Sequence, residues 1–472
     1  MVQPDVRHAI LPCPVRPRPA TAPAPEPLTR PPLPATLPRM EESRNIAVFD
    51  IGRTNAKLVL VDLSTLAEVA VLSRPNTVRS GPPWPHFDVD ALWHFLLDGL
   101  AQMQAEHGVH GIVPVAHGAC GALVEGDGTL AAPVMVYDDP IPPDVAAVYD
   151  TIRPPQAKTG SPRLDVGLNL GAQLHWQLSR DPTLAGRAAH LLCWPQYWAF
   201  RLSGTAASEV TSLGAHTDLW NSHTNRPSPL AARLGLSLPP VRACHEVLGP
   251  VLPDIASRTG LAPETPVLCG IHDSDASLFP YLMTRPAPFA VVSTGTWIVV
   301  MAPGAAAPPG TQLNTDALGR PLPAAMFPGG RIYAETAGQV PDATALSKTL
   351  DRGIMLLPEA TWHPSEPTAN SPHRTAAASF ALAIRTADTL ARLGHAGPVF
   401  VEGAFARNTA WCAMLAACGH KVWAIPSATG TSAGAACLFR PQDVPPPQGQ
   451  PVTPLQDAAT YIADWRQASS SV

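Results

Sequence analysis

Asn45-Ile-Ala-Val-Phe-Asp50-Ile-Gly52-Arg-Thr54-Asn55-Ala-Lys57-Leu-Val-Leu-Val-Asp62 reads as two strands joined by a polar, glycine-containing turn. Ile46 to Phe49 is a short apolar run, and Leu58 to Val61 is a second. A tight hairpin needs only glycine and asparagine between them, so the remaining polar residues ask for another explanation. An acidic residue at the end of the first strand, Asp50, can hold Mg²⁺ through water. Gly52 lets the backbone approach a polyphosphate, Thr54 and Asn55 offer donors, and Lys57 brings positive charge. The competing reading is an ordinary hairpin with its charges in solvent. Two later stretches supply the other parts of a phosphotransfer site.

At 472 residues the chain is too long for one core and suggests two or three domains. Hydrophobic content of 46% with 15% charged residues suits a soluble globular protein. A net charge of −5 argues against non-specific nucleic-acid or acidic-membrane binding, because no strong basic field exists. The eight cysteines form no C-x-x-C pair, so they read as reduced residues of a cytoplasmic protein rather than a disulfide or zinc framework. No apolar run is long enough to span a bilayer. In residues 1–39 about every third residue is proline, and hydrophobic periodicity is lacking. Translation is expected to start near Met40, and the leader, to residue 43, is expected to be disordered and without function.

Downstream, strands are expected at Val69–Leu72, Gly111–Ala116, Pro266–Gly270, Phe289–Ser293, Val399–Glu402 and Lys421–Ile425. Helices are expected at Asp90–His107, Arg374–Leu393, Asn408–Cys418 and Thr431–Leu438, with 155–245 mainly helical. Such alternation implies α/β layers. Three strand ends carry a polar turn: Asp50-x-Gly52-x-Thr54, Gly270-x-x-Asp273 and Ser293-Thr294-Gly295-Thr296. Phosphoryl transfer asks for donors around the phosphate, a metal, and a base aimed at the attacking hydroxyl. Asp273, the first acidic group past a buried strand, suits the base, and Asp275 suits a helix cap. Small residues from Gly403 through Ala404 to Asn408 would let an adenine lie against the backbone, with Asn408 able to bond it. The run Gly430 to Ala436 would pack closely on its neighbours. His117 and Gly118 at a strand end face either a cleft or the core, and Asp138 and Asp139 either a ligand or the next helix.

The ordered set of Asp-x-Gly-x-Thr-x-x-Lys, Gly-x-x-Asp, Ser-Thr-Gly-Thr and a small-residue strand–helix turn resembles the FGGY family of carbohydrate kinases, of the actin/Hsp70/hexokinase superfamily. The resemblance runs from about residue 44 to 440. It implies an α/β fold of two ribonuclease-H-like (actin-like ATPase) domains, 44–280 binding sugar and 281–440 binding nucleotide, with an interdomain cleft; beyond it, 441–472 reads as a tail with a short helix. By position it implies Asp50 near Mg²⁺, with Gly52, Thr54, Asn55 and Lys57 as the first phosphate motif. Thr294, Gly295 and Thr296 match the second phosphate motif, and Gly403, Ala404 and Asn408 the adenosine motif of an ATP site. His117, Gly118 and Asp139 fall on sugar-contacting positions, and Asp273 on the catalytic base. Arg53 departs from the usual small residue, and Phe405 is expected to narrow the nucleotide pocket or move the adenine.

The expected reaction is ATP-dependent phosphorylation of a ketose or deoxyketose such as L-rhamnulose or L-fuculose, with sugar and ATP as partners and no nucleic acid or membrane. A homodimer is compatible with the sequence, which does not set the oligomeric state. The alternatives are a sugar- or nucleotide-responsive binding protein that has lost its chemistry, and an ATPase of chaperone or filament type.

Overall fold

The computed structural model describes residues 44–426 and 430–470; the leader lies outside them. The opening hairpin forms as expected. Strand Asn45–Ile51 pairs antiparallel with Asn55–Asp62, Asp50 standing opposite Lys57. Glu68–Pro75 adds a third antiparallel strand. The chain then crosses through helix Val89–His107, capped by the Asp88 side chain, to strand Gly111–Ala116, parallel to the first. Pro266–Leu268 lies parallel beyond it, and Ile271–His272 also pairs with Gly111–Ala116.

The second half repeats this order. Ala290–Thr294, Ile298–Met301 and Pro321–Phe327 form an antiparallel meander, and Val399–Gly403 and Val422–Ile425 are parallel additions on its other side. Three antiparallel strands followed by two parallel ones, twice over, make a two-domain α/β fold. The repetition makes the turn after Asp50 and the turn after Thr294 equivalent, each joining the first two strands of its sheet. It also makes helix Asp273–Thr284 equivalent to helix Gly430–Ala436, since each follows a fifth strand.

These two helices pack on one another, and the small residues explain how. A Cβ on Gly434 would stand 1.9 Å from the Ala276 carbonyl oxygen, so only glycine allows that approach. Ser277 and Thr431 hydroxyls meet at 3.1 Å across the same contact. Each sheet is sealed by its own apolar core: Phe49, Leu96, Trp194 and Trp198 in the first, Phe380, Trp411 and Leu415 in the second. The aromatic run Trp194–Trp198 is therefore core.

One expectation needs correction. Residues 155–245 are largely irregular, with short helices, the strand His190–Cys193 and small two-residue strands, tied by buried polar groups. Asn169 alone bonds the backbone of Pro162, Leu164 and His216. Local helical periodicity loses here to turn chemistry and long-range hydrogen bonds. The tail after residue 440 carries the short helix expected of it. Gln450–Pro451 adds an edge strand, and helix Ala459–Ser469 buries Tyr461, Ile462 and Trp465 in the second core. Among the described residues no helix is long and apolar enough to cross a membrane.

Candidate active site

A cavity of about 250 Å³ opens between the two sheets. From the first half it is lined by His117 and Gly118, at the end of Gly111–Ala116, and by His272, Asp273 and Ser274, where Ile271–His272 becomes a helix. From the second half come Ser293, Gly295 and Thr296, in the turn after Ala290–Thr294. Stretches far apart in sequence thus share one wall-to-wall space.

Asp273 has a third of its side chain exposed and is held asymmetrically. Its Oδ1 accepts from the Ser274 backbone N–H at 2.6 Å and the Ser274 hydroxyl at 3.2 Å, and stands 3.3 Å from His272 Nε2. Among the described residues Oδ2 takes no hydrogen bond, which leaves one carboxylate oxygen for a ligand. Asp275 is not the cap expected of it. It is buried, and its Oδ2 lies 2.9 Å from His272 Nδ1.

Asp50 sits half-buried at the end of the first strand. Burial, and then the nearby Asp273 charge, push its carboxyl up to about 7, with Lys57 opposing. A carboxylate such as Asp50, whose ionisation burial and a neighbouring charge oppose, is a place where a divalent cation fits. The loop Gly52–Asn55 is braced from behind by Asn76, whose amide donates to the Gly52 carbonyl. Thr54, Asn55 and Lys57 stay exposed. None of these residues lines the 250 Å³ space itself.

Other expected residues are placed differently from the sequence reading. The Thr294 hydroxyl is spent within the fold, donating to the Glu402 carbonyl and accepting from the Phe405 N–H at 3.0 Å. In this turn Gly295 and Thr296 line the cavity instead. A Cβ on Gly295 would meet nothing within 4 Å, while its N–H already donates to the Trp297 carbonyl at 2.9 Å. Asn408 caps helix Thr409–Ala417 through Oδ1 and donates through Nδ2 to Ser379, so its amide is committed. Phe405 points inward, edge-on to Tyr333 and Trp411, and narrows nothing. Gly403 has φ 80°, and a Cβ there would meet the Thr294 carbonyl oxygen at 2.1 Å.

Asp139 does not line the cavity; Tyr137, at the start of the turn 137–139, supplies that wall. Asp138 forms a two-pronged ion pair with Arg53, at 2.9 and 2.6 Å, and caps nothing.

His117 and His216 face the cavity as neutral acceptors. His117 Nδ1 meets the Gly118 carbonyl at 2.7 Å, and His216 Nδ1 meets the Leu168 carbonyl at 2.7 Å. In each ring Nδ1 therefore holds the proton and Nε2 is left as acceptor. Burial pushes both imidazoles down, His216 to about 4. His216 has φ 47° and Asp218 φ 65°, a strained turn held by Arg153 and Tyr149 on the buried Asp218 carboxylate. The sequence reading missed His216, Gln312 and Asn314. His216 lay in a polar turn without a periodic signal. Gln312 and Asn314 belong to the second half but reach this wall because Leu313–Thr315 leans on the first, the Leu313 N–H bonding the Gly160 carbonyl at 2.9 Å.

Known proteins match this layout. A model of the N-terminal domain of the FGGY family of carbohydrate kinases matches residues 45–280, and one of the FGGY C-terminal domain matches 286–447. The chain belongs to the FGGY family. A carbohydrate kinase from Novosphingobium aromaticivorans is 32% identical, superposes with a TM-score of 0.80, and is matched over 91% of this chain and 99% of its own. The L-fuculokinase of Salmonella typhi is 28% identical over 272 residues, 54% of this chain and 56% of that protein. The chain thus spans little more than half the length of the curated relative it matches. A xylulose kinase from Rhodospirillum rubrum, 20% identical with a TM-score of 0.72, shares the FGGY fold.

Proposed function

We propose that this FGGY protein transfers the terminal phosphoryl group of ATP to a hydroxyl of a neutral ketose or deoxyketose, of which L-fuculose and L-rhamnulose are examples. The observation that carries this reading is the shared cavity. Asp273, with one free carboxylate oxygen, and the open Gly295–Thr296 turn line the same 250 Å³ space from opposite halves.

In this mechanism the sugar lies against His117, His216 and Asn314, and its attacking hydroxyl donates to Asp273 Oδ2. As the sugar oxygen bonds to phosphorus its proton passes to Asp273, and the bond to ADP breaks with its electron pair leaving on ADP. Thr296 and the Gly52–Asn55 loop hold the phosphates, and Lys57 offsets their charge. Asp50 would hold Mg²⁺, which supplies neutralisation of the phosphate oxygens. We take 44–280 as the sugar-binding domain and 281–440 as the nucleotide-binding domain, in the cytoplasm.

Among the described residues the cavity lining carries no lysine or arginine, which favours a neutral sugar over a sugar acid. Ala119 and Leu168 give it an apolar corner suited to the methyl group of a deoxyketose. A panel of ketoses and one sugar acid, read by coupled ADP detection, tests this. ADP release should require a neutral ketose. Equal release without sugar would make the protein an ATPase, and no release with any sugar would favour a binding protein. Asp50→Asn should raise the Mg²⁺ concentration for half-maximal turnover by roughly tenfold, equivalent to about 1.4 kcal/mol of cation affinity. An unchanged Mg²⁺ requirement would remove Asp50 from the cation site.

A further inference from the structure

Asp275 is 1% exposed, and among the described residues its Oδ1 has no hydrogen-bond partner. Its Oδ2 has one, His272 Nδ1 at 2.9 Å. A buried carboxylate satisfied on one side only is a poor way to stabilise a fold, and an apolar side chain would serve stability better. Its single partner is also the ring that stands 3.3 Å from the base. The three groups form a line: Asp275 Oδ2, the His272 imidazole, Asp273 Oδ1.

The backbone of His272 is fixed as well. Its N–H donates to the Thr211 hydroxyl at 3.1 Å, and that hydroxyl donates to Glu209 at 2.6 Å. Gly118 completes the fit, since a Cβ there would lie 3.2 Å from His272 Nε2.

We propose that His272, held by Asp275, is a positioning residue for the base: a fixed cation that anchors Asp273 through Oδ1 and turns Oδ2 to the sugar. The inference rests on Asp273 being the base. His272 keeps its proton throughout the reaction, and Asp273 Oδ2 alone takes the substrate proton.

The charges around the ring agree. Asp273 and Asp275 on its own helix and Glu209 from the neighbouring one face it as acids, while His117 and His216 face it as neutral rings. Burial favours the neutral imidazole, but the carboxylates outweigh it and push His272 up to about 9. The ring is therefore charged across the neutral range.

Asp275→Asn keeps the shape and removes the charge that holds the imidazolium. Expected is a loss of about 10- to 100-fold in kcat with sugar KM within about threefold. The acid limb of the kcat–pH profile should move up by about one pH unit, because the imidazolium is no longer held against the base. His272→Gln should show the same two changes, and it carries the test if Asp275→Asn does not fold. A variant that keeps the wild-type kcat and acid limb overturns the proposal. So does one that loses kcat with the acid limb in place, which is the mark of a merely structural role. Asp273→Asn, measured alongside, separates this from the wider reading. If that variant stays active, the base assignment fails; if it is inactive while Asp275→Asn behaves as wild type, only the positioning role fails.

Discussion

Asp273→Asn should lower kcat by about 10³- to 10⁴-fold while leaving ATP affinity within about threefold. The amide has nearly the volume of the carboxylate and can still accept from the Ser274 N–H, now at 2.6 Å from Oδ1. The fold should therefore survive with little change in melting temperature. What disappears is the acceptor for the hydroxyl proton, so the sugar oxygen must attack with its proton in place. In the proposed mechanism Asp273 meets the sugar hydroxyl and not the nucleotide, so ATP affinity should not sense the change. Steady-state kinetics with the best ketose, together with ATP titration of the variant, checks this. Turnover within tenfold of wild type would remove Asp273 from the mechanism.

Gly434→Ala should produce the second large effect, and through packing rather than chemistry. The added methyl would stand 1.9 Å from the Ala276 carbonyl oxygen, which is backbone and cannot rotate away. The helices Asp273–Thr284 and Gly430–Ala436 must then separate, at a cost of about 3 kcal/mol. A fall in Tm of about 3 °C follows for a chain of this size. Ala276 lies one turn from Asp273 in the same helix, so the displacement reaches the base. A misplacement of about 1 Å costs on the order of 100-fold in kcat. Gly126→Ala is the control, because a Cβ there meets nothing within 4 Å. Should Gly434→Ala melt and turn over as wild type, the two helices are not the tight contact described above.

The contact between these helices was half legible beforehand. The run of small residues from Gly430 to Ala436 announces close packing, but only the fold names Ala276 as the neighbour. Asp273 was legible too, as the first acid past a buried strand. Asp275 was not. Sequence position made it a cap, yet its rotamer carries it inward to His272, and the helix begins without a side-chain cap at that end. Phe405 and Asn408 failed in the same way. Both stand in the right turn, and both are drawn into the second core or its helix cap rather than toward a nucleotide.

Local order carries what is local. The hairpin of residues 45–62, the alternation of strands with helices, and the polar turns at strand ends follow from periodicity and turn chemistry within a few residues. Which side chains meet does not follow. Thr294 spends its hydroxyl on residues 108 and 111 positions away, Asn314 reaches the first half through a strand leaning across, and Asp139 loses its place to Tyr137. Those outcomes depend on the competition among distant donors, acceptors and apolar surfaces once the chain is compact, and no short window of sequence holds that competition.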